Sequence, residues 1–168
     1  MNFVKDMQTR GLVAQITFED DLSKLVGAGK CVGYVGFDPT ASSLHVGHLF
    51  PLMMLARWQK AGHKAIALMG GGTALVGDPS GKTDMRRMLF EEEITKNIAN
   101  FKNQVRGLLN LDDSSEGEVV NNADWLAKLE YLPFLREIGV HFSVNRMLTA
   151  ECFKSRLETG LSFLEFNY

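Results

Sequence analysis

The chain has 168 residues, of which 45% are hydrophobic and 23% are charged. That length suits one domain or slightly more, and the composition is globular rather than disordered. Its 18 Lys and Arg against 20 Asp and Glu give a formal charge of −2, so any nucleic acid would have to meet a local basic patch.

The cysteine content and the N-terminus exclude several protein classes. Two cysteines, Cys31 and Cys152, are too few for a disulfide scaffold or a Cys-based zinc site, and we expect both to be small buried hydrophobes in a reducing compartment. The first ten residues lack the apolar core of a signal peptide, and no apolar run approaches the ~20 residues of a membrane helix. We therefore expect a cytoplasmic protein.

The N-terminal third predicts a helix, a strand and a loop. Thr17-Phe-Glu-Asp20 is typical of a capping box, which predicts a helix to about Val26 that ends at Gly27–Gly29. Residues 30–35 are predicted to form a short, fully buried strand. The small and polar residues of 36–43 predict a loop.

A βαβ unit is predicted next. From His45 the apolar residues recur at helical spacing, with Pro51 placed in the first turn, where its missing N–H costs little, and Gly62 at the end. Residues 64–69 form a second buried strand. Strand, helix and strand within about 40 residues imply a parallel sheet with a right-handed crossover.

The remaining chain is predicted to be mainly helical. Residues 70–82 predict an irregular loop, and 91–109 an amphipathic helix whose apolar stripe comprises Ile94, Ile98, Phe101, Val105 and Leu108. Further on we predict an acidic loop at 112–118 and a third strand at 118–122. Two or three short helices should follow, near 124–139, near 147–158 and from Ser162 on. Gly81-Lys-Thr83 suggests a P-loop, but Val76 stands where that motif needs glycine, so we reject it.

The motif His45-Val-Gly-His48 lies where a strand passes into a helix. Free N–H groups and the positive end of the helix dipole make such a junction a site for phosphate. Gly47 lacks a side chain, so a flat ring could lie against the backbone there. Capping or surface histidines remain an equal alternative, and a metal site lacks an evident third ligand, so we predict no protein-bound metal.

These histidines and their flanks resemble a known family. His45-Val-Gly-His48 is similar to the HIGH motif of class I aminoacyl-tRNA synthetases, and Tyr34-Val-Gly-Phe-Asp-Pro-Thr40 and Gly77-Asp-Pro-Ser-Gly81 resemble tyrosyl-tRNA synthetases in particular. Similarity continues through 121–125, 141–145 and 160–168. The resemblance implies an α/β fold, a Rossmann-like parallel-sheet nucleotide-binding fold of the HUP type, incomplete and with a helical insertion. The expected parts are an N-terminal helical segment at 1–29 and the first half of the catalytic fold at 30–122. The helical insertion and the start of the second half are expected at 123–168.

The resemblance also implies substrates and site residues. ATP, with Mg²⁺, would activate L-tyrosine to tyrosyl adenylate, and tRNA(Tyr) would accept the tyrosyl group. The implied catalytic residues are Thr40, His45, His48, Lys82 and Arg86. The implied ATP-binding residues are Asp38, Thr40, His45, Gly47 and His48. The implied tyrosine-binding residues are Tyr34, Gly36, Asp38, Thr73, Asp78, Asn122 and Tyr168.

Each implied role has a plainer alternative. Tyr34 could be an ordinary aromatic of a buried strand, Asp38 and Asp78 could be turn residues, and Lys82 and Arg86 could be solvated loop charges. We expect His63 and His141 to be structural, and Trp58 and Trp125 to be packing residues.

Regions beyond these 168 residues are expected to complete the protein. No two lysines have the spacing of the family's K-M-S-K-S loop, so we expect part of a longer protein, with little activity of its own, whose tRNA contacts lie mainly elsewhere. The resemblance implies a homodimer through 126–166, although that segment could instead be domain core. The alternatives to the ligase are a non-catalytic fragment or paralogue that binds nucleotide or amino acid or mediates dimerisation, and another nucleotidyltransferase with an H-x-G-H motif.

Overall fold

The computed structural model describes residues 3–77, 90–150, 153–154, 157 and 160–167. In chain order the helices and strands are α1 (Phe3–Thr9), α2 (Glu19–Ala28), β1 (Val32–Phe37), α3 (Val46–Lys60), β2 (Lys64–Met69), α4 (Gly71–Val76), α5 (Glu91–Val105), β3 (Gly117–Asn121), α6 (Ala123–Leu126), α7 (Tyr131–Glu137), a 3-10 turn (Gly139–His141), α8 (Val144–Leu148) and α9 (Phe163–Phe166).

The described strands form a parallel sheet in the order β1-β2-β3. Phe37 is aligned with Met69, and Met69 with Asn121, so the carboxyl ends of the three strands meet at one edge. This arrangement confirms the predicted α/β fold and its parallel βαβ unit. Because ligands of open parallel sheets bind outside the carboxyl ends of the strands, this edge is where a site is expected.

The hydrophobic core lies between one face of the sheet and helices α3 and α5. The buried residues that form it are Phe37, Leu52, Leu55, Ala65, Ala67, Met69, Phe101, Val105 and Leu109. Burial of a side chain such as Phe101 stabilises the fold by about 1.5–3 kcal/mol. This packing fixes both helices against the carboxyl edge of the sheet.

The opposite face of the sheet is open along β1. Val32 is 64% exposed and Tyr34 70%, so the prediction of a fully buried strand at 30–35 is wrong in both burial and bounds. Strand β1 lies at one end of the sheet order, and its alternate side chains point away from α3 and α5. Sequence periodicity alone could not show which face lacks cover.

Two predictions about helix starts are wrong. Helix α2 has Phe18 at its N-cap in the left-handed conformation, with φ 53°, and no side-chain hydrogen bond caps it, so the box predicted at Thr17 does not form. Helix α3 begins at Val46, which puts Pro51 in its second turn rather than its first.

Two further predictions need correction after β2. Residues 71–76 of the predicted irregular loop form α4, while 78–82 lie outside the described residues. Helix α5 ends at Val105, and the following turns bury Leu109, whereas the predicted stripe residue Leu108 is 45% exposed.

His63 and Trp58 are packing residues, as predicted. His63 is buried, its Nδ1 accepts a hydrogen bond from the Cys31 N–H at 3.2 Å, and its ring lies 4.2 Å from that of Trp58. The Trp58 indole donates to the Lys64 carbonyl at 2.9 Å. Cys31 is only half-buried, contrary to expectation, and Cys152 lies outside the described residues.

The described residues after Asn122 contribute nothing to the buried core. Their apolar side chains are largely exposed, with Leu132 at 74%, Val140 at 71% and Phe142 at 62%. Within this chain, the described part of 126–166 therefore lies outside the buried core. In that part of the chain, no helix has the length and apolar character needed to cross a bilayer.

Candidate functional site at the carboxyl edge of the sheet

A polar network joins the ends of all three strands. Asp38 follows β1, Thr73 lies in α4 just after β2, and Asn122 follows β3. The Thr73 hydroxyl donates to Asp38 Oδ1 at 2.8 Å, and Asn122 Nδ2 donates to Thr73 Oγ1 at 3.4 Å. The predicted site residues Asp38, Thr73 and Asn122 are thus brought into direct contact.

Two asparagines and one glycine hold α4 against this network. Asn122 Oδ1 accepts from the Gly72 N–H at 2.7 Å, and Asn121 Oδ1 accepts from the Gly71 N–H at 3.2 Å, so both satisfy N–H groups that begin the helix. A Cβ at Gly70 would overlap with the Asp38 carboxylate and lie 2.5 Å from Thr73 Oγ1. A side chain at position 70 is therefore incompatible with the network.

An open cavity of about 410 Å³ lies over the network. Its lining comprises Gly36, Phe37, Asp38, Leu68, Gly70, Thr73 and Asn122. A Cβ at Gly36 would meet nothing within 4 Å, so this part of β1 faces free space. Tyr34 projects from the same face two residues earlier, since side chains alternate along a strand. Apolar walls with a few convergent polar groups are typical of a small-molecule site.

The two histidines form a reciprocal cap at the start of α3. The Gly47 N–H donates to His45 Nδ1 at 3.1 Å, and the His45 N–H donates to His48 Nδ1 at 3.2 Å. The rings stack with their centroids 3.8 Å apart and their planes 19° apart. Capping was the plainer alternative for these histidines, and it is correct as to structure.

The cap fixes the tautomer of both rings. A nitrogen that accepts a hydrogen bond carries no proton, so each neutral imidazole keeps its proton on Nε2. Burial and the neighbouring His45 lower the pKa of His48, while Asp38 opposes them with a smaller effect. In its neutral form each ring therefore presents an Nε2–H donor.

Gly47 makes this geometry possible. A Cβ at position 47 would lie 2.9 Å from Cε1 and 3.0 Å from Nδ1 of His45, closer than side chains approach one another. The flat ring that lies against the Gly47 backbone in this structure is therefore the His45 imidazole. The sequence argument had reserved this place for the flat ring of a bound ligand, and that expectation stays a prediction.

Asp38 links the polar network to the stacked His45 and His48 at the start of α3, which we call the histidine corner. Its carboxylate accepts from the Thr73 hydroxyl and is close enough to His48 to offset part of the lowering of that imidazole's pKa by burial and His45. The His48 ring also packs edge-on against Phe37, with centroids 6.0 Å apart. Between the two clusters, the N–H of exposed Thr40 donates to the Asp38 carbonyl at 2.9 Å. The histidine corner and the polar network thus lie at the same edge of the sheet, where the carboxyl ends of the strands meet.

The structure leaves four predicted site residues outside its described part: Asp78, Lys82, Arg86 and Tyr168. Sequence reasoning missed Gly70 and Asn121. It also missed three side-chain amides of α5 that contact the loop between β1 and α3, namely Asn97, Asn100 and Gln104. The signal for those amides was available, because they recur at helical spacing beside an apolar stripe. Within the described residues, no three His, Cys, Asp or Glu side chains form a group that could hold a metal ion.

Comparisons with known proteins agree with this architecture. The family model for class I tRNA synthetases (W and Y) matches residues 28–168. A tyrosine–tRNA ligase of Clostridium tetani is 57% identical over 162 residues, which cover 96% of this chain and 40% of the relative. The chain thus spans about 40% of the length of that relative.

Solved structures show the same fold. A C-terminally truncated mitochondrial tyrosyl-tRNA synthetase of Aspergillus nidulans matches with a TM-score of 0.84 and 30% identity, over 99% of this chain and 51% of that one. The enzyme of Coccidioides posadasii matches with a TM-score of 0.79 and 31% identity, over 99% and 48%. The three parallel strands, the histidine corner and the family match together show that this chain belongs to the class I tRNA synthetases of the tryptophanyl and tyrosyl group.

Proposed function

We propose that the protein containing this chain is a tyrosine–tRNA ligase, and that the chain supplies the half of its site that receives tyrosine and the ATP phosphates. The observation that carries the proposal is the position of Asp38, which accepts a hydrogen bond within the polar network and lies close enough to the His48 imidazole to interact with its charge. The names of these longer relatives support tyrosine as the amino acid.

The proposed reaction requires positioning rather than a general base. The tyrosine carboxylate is ionised at neutral pH, and one of its oxygens attacks the α-phosphorus of ATP. The bond from that phosphorus to the bridging oxygen of the β-phosphate breaks, and pyrophosphate leaves with the electron pair. ATP would enter as its magnesium complex.

Neutral Nε2–H donors suit this chemistry. Hydrogen bonds aimed at oxygens that gain charge in the transition state accelerate a reaction without proton transfer. His45 and Thr40 would donate to the leaving phosphates, and His48 with Gly47 would contact the ribose and adenine. Lys82 and Arg86 would add positive charge to the pyrophosphate.

The polar network suits the amino acid. Asp38, Thr73 and Asn122 would line the pocket, and Asp78 and Tyr168 would hold the ammonium group. The Tyr34 hydroxyl would meet the substrate phenol, because a buried phenol without a partner is costly. The exposure of Tyr34 leaves its ring free to do so.

We further propose a homodimer through residues 126–166. An apolar surface as extensive as the one carrying Leu132, Val140 and Phe142 is typical of an interaction site rather than of a monomer's exterior. Contacts with tRNA(Tyr) would lie mainly in parts of the protein beyond this chain.

The function is tested by tyrosine-dependent exchange of pyrophosphate into ATP, measured on the protein as its gene encodes it. We expect exchange with tyrosine and none with phenylalanine or tryptophan. His45→Ala should slow exchange by about 10²–10³-fold with little change in the Kd for tyrosine. A large rise in that Kd at an unchanged rate would contradict the assigned role.

A further inference from the structure

Helix α5 holds the loop between β1 and α3 through side-chain amides. Asn97 Nδ2 donates to the Pro39 carbonyl at 3.0 Å, and Asn100 Nδ2 donates to the Ser42 carbonyl at 3.1 Å. Asn97 is buried and Asn100 half-buried. Both amides replace water as partners of loop carbonyls that must otherwise be solvated.

A third amide and an aromatic ring extend the same helix face. Gln104 Oε1 accepts from the Leu44 N–H at 3.1 Å, directly before His45. The Phe101 ring lies 5.6 Å from that of His48. Steps of three and four residues put these side chains on one face of α5. The helix therefore contacts the loop at its start, middle and end, and the imidazole pair that follows it.

This loop carries the groups assigned to the phosphates. Thr40 lies between the Asn97 and Asn100 contacts, and His45 follows the Gln104 contact. The Thr40 side chain is exposed, so its direction depends on the loop backbone. A helix face that fixes this backbone would fix the donors before ATP binds.

We propose that Asn97, Asn100 and Gln104 are positioning residues that set Thr40 and His45 for phosphate transfer. The inference rests on the proposed function and adds to it a set of residues that contact no substrate. Misplacement of a catalytic group by about 1 Å can cost about 10²-fold in rate. A single hydrogen bond at an exposed site contributes little to net stability, so rate should respond more than folding.

The test compares variants at the exposed end of the set. Gln104→Met removes the acceptor at similar length, and Gln104→Glu retains it. Asn103 is an exposed amide on the same helix, so Asn103→Met and Asn103→Glu control for the changes in polarity and charge. Asn100→Leu tests the middle contact. Each variant of the full gene product is measured by hydrogen exchange of peptides covering 40–48 and by pyrophosphate exchange.

We expect faster hydrogen exchange at 40–48 in Gln104→Met and Asn100→Leu. Their pyrophosphate exchange at saturating substrates should fall at least about tenfold while the KM for tyrosine stays within about twofold. Gln104→Glu and both Asn103 variants should behave like the parent.

Unchanged hydrogen exchange in Gln104→Met, or an equal loss of rate in Asn103→Met, would overturn the inference. So would faster hydrogen exchange with an undiminished rate. A parent protein with no tyrosine-dependent exchange would instead contradict the proposed function, and hydrogen exchange would still decide whether the amides anchor the loop.

Discussion

Replacing His45 by asparagine separates its capping role from its proposed chemical role. Asparagine is a preferred N-cap residue, so its side-chain oxygen can accept from the N–H groups of the first turn. The backbone N–H of residue 45 can still donate to His48 Nδ1. The substitution therefore keeps the hydrogen bonds of the cap and removes one imidazole Nε2–H.

The two effects differ in size. Loss of the stacked ring, whose centroid lies 3.8 Å from that of His48, should cost about 0.5–1.5 kcal/mol. The better cap offsets up to about 1 kcal/mol of this. Loss of one donor to the leaving phosphates should raise the activation barrier by about 2.7–4 kcal/mol, or about 10²–10³-fold in rate.

The assay pairs urea unfolding with tyrosine-dependent pyrophosphate exchange. We expect the free energy of unfolding to change by less than about 1 kcal/mol while exchange falls about 10²–10³-fold. An undiminished exchange rate would refute the reasoning. So would a loss of stability as large as the loss of activation energy, because His45 would then be structural only.

Three further predictions follow from the same contacts. Burial lowers the pKa values of His48 and His63 below their ordinary 6.5, so the unfolded chain binds more protons than the folded one once the pH falls below 6.5. The free energy of unfolding should therefore be at its full value above that pH and decline below it, and His63→Gln should reduce the decline measured by urea unfolding. Thr73→Val leaves Asp38 and Asn122 without their shared partner, and should cost about 1–3 kcal/mol in urea unfolding, whereas Thr73→Ser should not. Leu132→Glu combined with Phe142→Glu should lower the sedimenting mass to that of a monomer, whereas Lys96→Glu, at an exposed position of α5 outside that segment, should leave it unchanged.

The sequence predicted those parts of the fold in which local pattern and packing agree. The strand at 64–69 was placed correctly because its apolar run is bounded by Gly62 and Gly70 and is covered by helices on one face. Strand β1 was misjudged because Tyr34 has the apolar character of a core residue but lies on an open face. A single sequence cannot state which face another element covers.

At the site, too, the sequence predicted the residues but not the contacts that tertiary packing creates. Asp38, Thr73 and Asn122 were named through their motifs, yet their direct contact follows from strand register, which brings residues distant in sequence to one edge. The helix at 71–76 was missed because three glycines favour a loop, and two asparagine side chains from the end of β3 satisfy its first N–H groups. Tertiary contacts thus outweighed local propensity.

The central claim is that the histidine corner and the polar network line one cleft. Nuclear magnetic resonance on the full gene product, titrated with a non-reactive analogue of tyrosyl adenylate, tests it most directly. The account predicts that one equivalent of the analogue shifts both the His48 imidazole and the Asn122 side-chain amide, whereas tyrosine alone shifts only the amide. An analogue that shifts either signal and leaves the other unchanged at saturation would contradict it.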